Sequence, residues 1–78
     1  MSVVVVLSTF PSADVAADVA GTLVEERLAA CVNIVPAVRS IYRWDGVIRD
    51  EAEVLAIIKT TAERVVAMRD RLVELHPY

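Results

Sequence analysis

The sequence predicts one α+β domain with the element order β-α-β-β-α. Three observations predict it. An unbroken β-branched run, Val3-Val4-Val5-Val6-Leu7, opens the chain. Two segments place apolar residues at helical spacing, one from Ala13 to Leu28 and one carrying Val65, Met68, Leu72 and Leu75. Between them lie two long arms joined by Asp45-Gly46, a pair suited to the positive φ angles of a tight hairpin turn. Seventy-eight residues allow a single domain, 1–78.

Val3 to Leu7 reads as a strand buried on both faces, hence a central one. Ser12 is the expected N-cap of the first helix, with Asp14 favouring the dipole of its first turn. Ala16, Val19, Ala20, Leu23 and Leu28 form its apolar face. Gly21 sits inside that helix at a cost of about 1 kcal/mol against alanine, and close packing on the sheet is the expected reason. The hairpin follows. A turn at 45–46 sets Trp44 opposite Val47, Tyr42 opposite Arg49 and Ser40 opposite Glu51. Continued without a break, that register sets Ile34 opposite Ile57. Pro36 cannot donate to a ladder, so a bulge or an edge is expected beside it. The arms exceed an ordinary strand of about five or six residues, so the distal half needs a partner beyond the domain's own core.

The third strand, Val54 to Ile58, is apolar on both faces, and a second copy of the chain is the most economical cover for its second face. Thr60 to Glu63 has the form of a capping box for the second helix, and Pro77 ends that helix. The order is that of a ferredoxin-like split β-α-β sandwich without its last strand. The first strand is then left with an open edge unless the natural chain continues past Tyr78 or something else covers it.

Hydrophobic residues make up 56% of the chain but aromatic residues only 5%, so the core is aliphatic and the excess points to surface buried against another subunit. The net charge is −3 with no basic run, which argues against nucleic acid and anionic membranes as partners. One cysteine excludes an internal disulfide framework. No apolar run approaches membrane-spanning length, and the opening run lacks the form of a secretion signal, so the expected location is cytoplasmic.

Few residues invite chemistry. Cys31 reads as a small buried hydrophobe or as a metal or redox group. His76 suits a helix C-terminus, or it ligates a metal in a site assembled through space, within one subunit or across subunits. Tyr42 and Trp44 share one face of the hairpin, for cross-strand packing, intersubunit burial or stacking on a ligand. Lys59 either binds an anion or snorkels from a sheet edge. Asp50, Glu51 and Glu53 form an acidic cluster, but alternation sends Asp50 to one face and the two glutamates to the other. A glycine loop, a nucleophile elbow and a Ser/His/Asp set are absent, so no enzyme is expected.

Three blocks of the chain resemble the CutA family of divalent-cation tolerance proteins. They are Leu28-Ala-Ala-Cys-Val-Asn33, Ser40-Ile-Tyr-Arg-Trp-Asp-Gly46, and Glu53-Val-Leu-Ala-Ile-Ile-Lys-Thr-Thr61 with His76-Pro-Tyr78. The opening Val-Val-Leu-Ser-Thr-Phe-Pro is similar too. The resemblance implies a ferredoxin-like subunit in a tight homotrimer, with Tyr42, Trp44, Val54 and Ile58 expected at the trimer interface. It implies that a fourth strand and a further helix belong after His-Pro-Tyr. It also implies a role in tolerance of divalent metals, copper among them. Of the family's copper ligands only His76 is matched: Ser8 stands at the cysteine position that ends the first strand, Leu75 at the first of two histidines, and Cys31 matches a different cysteine. The expected metal residues are His76 and, second, Cys31, for copper or another divalent cation. An alternative is a trimeric sensor like the nitrogen-regulatory PII proteins, taking an anion or nucleotide between subunits near Lys59, Arg43 or Arg39. An acylphosphatase-like enzyme ranks last, because Ser8 to Ser12 lacks the glycine and arginine of an anion cradle.

Overall fold

The computed structural model describes residues 2–77, which form β1 (Val3–Phe10), α1 (Ala13–Glu25), β2 (Cys31–Trp44), β3 (Val47–Thr61) and α2 (Val65–Leu75). The strands make one antiparallel sheet in the order β1-β3-β2. This is the expected ferredoxin-like β-α-β-β-α arrangement. Tyr78, the end of the third resemblance block, lies outside the described residues.

The position of β1 corrects the first expectation. Its β-branched run suggested a central strand, but among the described residues its one partner in the sheet is β3, from Val3 opposite Thr61 to Phe10 opposite Val54. Only one of its faces is covered. Val4 and Val6 are half-buried on the helix side, whereas Val3, Val5 and Leu7 are 71, 55 and 63% exposed on the other. A run of identical side chains hides this alternation, because valine serves a buried face and a bare one alike.

The central strand is β3. Its even-numbered residues Val54, Ala56, Ile58 and Thr60 are buried under the helices, with Phe10 of β1, Ala16, Val19 and Leu23 of α1, and Met68 and Leu72 of α2. Its odd-numbered residues Leu55 and Ile57 are half-buried on the bare face.

Asp45 and Gly46 make the turn at φ +52° and +77°. The pairs Trp44–Val47, Tyr42–Arg49 and Ser40–Glu51 form as predicted. The expected bulge lies between Val35 and Val38, around Pro36. It shifts the lower register by one, so Ile34 faces Ala56 and Asn33 faces Ile57. The shift restores side-chain sense: Val32 and Ile34 turn to the core, which the unbroken register would have denied them.

Ser12 caps α1, its side-chain oxygen accepting from the Val15 N–H at 3.2 Å. The helix ends at Glu25, three residues before the expected Leu28. Arg27 turns into the left-handed region at φ +62°, and the N–H groups of Leu28 and Arg27 return to the carbonyls of Leu23 and Val24 at 2.9 and 3.0 Å. This is a Schellman termination, and it drops Leu28 onto the core.

Gly21 does not pack closely on the sheet. It is exposed, and a Cβ added there would meet nothing within 4 Å. Gly21→Ala is therefore expected to stabilise the fold by about 1 kcal/mol, read as a rise in the thermal midpoint of several degrees. An unchanged or lowered midpoint would show that this face of α1 is occupied.

The capping box at Thr60 does not form either. Pairing with β1 carries β3 through Thr61, and the Ala62 N–H continues the contact to the Ser2 carbonyl at 3.1 Å. Thr60 instead donates its hydroxyl to the Leu28 carbonyl at 2.7 Å, and α2 starts after Arg64 with no side-chain cap. Arg64 and Arg71 tie the helical layer together. Arg64 donates to the Arg27 carbonyl at 2.6 Å, and Arg71 grips Glu26 through two hydrogen bonds of 2.9 Å. The hydrogen bond from Arg71 holds the Glu26 carboxyl below the ordinary glutamate range.

Candidate functional site

His76 follows the last turn of α2 and leaves the helical conformation there. Its ring lies against Phe10, with centroids 4.5 Å apart, and its Nε2 meets the Thr9 carbonyl at 2.6 Å. A carbonyl can only accept, so Nε2 carries the proton of this bond. His76 thereby locks the end of α2 to the end of β1.

Cys31 is exposed, contrary to the expectation of a buried hydrophobe. It opens β2 opposite Lys59, and its Sγ lies 4.0 Å from the Asn33 side-chain oxygen. The alternation that buries Val32 turns Cys31 to the bare face of the sheet. Lys59 is four residues along β3 from Leu55, the partner of Thr9. With the usual strand rise and spacing, Cys31 and Thr9 are roughly 16 Å apart. Cys31 and His76 also lie on different sides of the sheet. Among the described residues, no three His, Cys, Asp or Glu side chains gather closely enough to hold a metal ion. The described residues of one chain therefore do not by themselves form a metal centre.

Two of the four expected interface residues are corrected as well. Val54 and Ile58 are 6 and 1% exposed within the chain itself, in the core under the helices. The apolar surface left uncovered lies on the opposite face, with Val3, Val5 and Leu7 of β1 beside Leu55 and Ile57 of β3. Tyr42 and Trp44 do lie on that face and are exposed.

Among the described residues, the hairpin continues past the end of β1 at Phe10 with no third strand beside it. The step leaves an open groove of about 730 Å³, lined by Thr9 and Pro11 at one side and by Ser40, Tyr42, Trp44, Arg49, Glu51, Ala52 and Glu53 along the hairpin. Tyr42 donates its hydroxyl to a Glu51 carboxylate oxygen at 2.5 Å. That bond, helped by burial and the negative charge of Glu51, raises the Tyr42 pKa. On the other face of the hairpin, Arg39 pairs with Asp50 through both side-chain ends, one bond measuring 2.7 Å. Arg39, Arg43 and Lys59 do not meet in this groove. Sequence alternation placed Tyr42, Trp44, Glu51 and Glu53 on one face, but Thr9 and Pro11 join them only because β1 ends where it does.

Among the described residues, no helix is long and apolar enough to cross a membrane.

The family model described as the CutA1 divalent ion tolerance protein matches residues 4–78. The divalent-cation tolerance protein CutA of Thermus thermophilus is 53% identical over 74 residues, covering 95% of this chain and 72% of that protein. The human protein CutA is 47% identical over 70 residues, covering 90% of this chain but 39% of that protein. The chain thus spans under half the length of its human relative. Among solved structures, the Thermus thermophilus divalent cation tolerance protein superposes with a TM-score of 0.90 at 51% identity, covering 100% of this chain and 75% of that one. The PII-like protein CutA from Nostoc, in apo form, gives 0.86 at 37% identity, covering 100 and 71%. The periplasmic divalent cation tolerance protein CutA from Archaeoglobus fulgidus gives 0.92 at 36% identity, covering 97 and 74%.

Proposed function

Because the chain belongs to the CutA1 family of divalent ion tolerance proteins, we propose that it is a non-enzymatic, self-assembling protein of divalent-metal tolerance. Three copies pack through the bare sheet face. The observation that carries this reading is the row Val3, Val5 and Leu7, exposed beside Leu55 and Ile57. A monomer would leave this apolar face in water. Tyr42 and Trp44 stand at the rim of that surface, where it gives way to the charged groove.

Copper or another divalent cation binds weakly at His76, as the described residues of one chain gather no fuller ligand set. Imidazole and carboxylate suit Cu(II). A Cu(II) titration is expected to lose affinity by about fivefold or more in His76→Ala and to be unchanged in Cys31→Ser, since Cys31 lies far from His76. Equal affinity in wild type and His76→Ala would remove the metal assignment. Light scattering tests the assembly itself, and a concentration-independent monomer would defeat it.

The cytoplasm is the compartment we assign. The Archaeoglobus relative is described as periplasmic, so cell fractionation decides the point.

A second reading, a PII-like sensor of a small ligand, is favoured by one observation: the groove beside the assembly face. Its volume falls within the usual range of small-molecule sites, about 300–1,000 Å³.

A further inference from the structure

We draw no further inference here: the strongest candidate, the shallow cleft between α1 and the end of α2 lined by Val15, Asp18, Val19, Thr22 and Leu75, lies beside the last described residues, and nothing among the described residues shows what covers it.

Discussion

Leu23→Ala is expected to cost about 3 kcal/mol, enough to leave a domain of this size largely unfolded near physiological temperature. Leu23 is fully buried at the centre of the layer between α1, α2 and β3. Its carbonyl also accepts the N–H groups of Leu28 and Ala29, at 2.9 and 3.2 Å, which end α1. Truncation removes apolar contact and leaves a cavity that the sheet behind it cannot close. Val24→Ala, one residue on and 43% exposed, serves as the control. It is expected to cost well under about 1 kcal/mol. Urea unfolding monitored by far-ultraviolet circular dichroism measures both. Similar losses in the two variants would mean that the core is not where the burial places it.

The second large effect concerns assembly. Leu7→Asp is expected to reduce the solution mass from three copies to one. Leu7 is 63% exposed on the bare face of β1, so the free subunit tolerates an aspartate there with little loss. At an apolar interface, the same carboxylate would be buried without a partner and would cost several kcal/mol at each copy. Val73→Asp is the matched control. Val73 is 71% exposed on α2, away from the bare sheet face, and its substitution is expected to leave the mass unchanged. Light scattering across a dilution series reads both. A Leu7→Asp protein that keeps the wild-type mass would move the interface elsewhere. Loss of mass in both variants would point to general destabilisation and not to a specific face.

These two residues also mark how far local pattern could be read. Leu23 belongs to a helix whose apolar spacing is visible in sequence, and the structure buries it as predicted. Leu7 belongs to a run of five apolar residues with no alternation to read. Its exposure follows from strand order, and a uniform run carries no information about strand order. The same reason explains Val54 and Ile58. Their strand is apolar on both faces, so the sequence shows that two covers are needed without saying which residues turn to the helices. Cys31 was misplaced because it opens a strand next to a buried valine, and only the bulged register fixes which neighbour faces inward.

Local chemistry alone determined the element order, the Asp45-Gly46 turn, the Ser12 cap, the irregularity at Pro36 and the apolar helix faces. Each is set by the dihedral limits or hydrogen-bonding capacity of a few adjacent residues. Contacts between distant segments decided the rest. Pairing of β1 with β3 extended the strand through Thr61 and overrode a capping box, because ladder hydrogen bonds to Ser2 and Val3 outcompete one helix cap. The end of β1 opened the groove. The roughly 16 Å between Cys31 and Thr9, whose carbonyl His76 meets, separated Cys31 from His76, the two residues that sequence had offered as metal ligands, since position along a sheet depends on register, and register is settled only when the faces are packed.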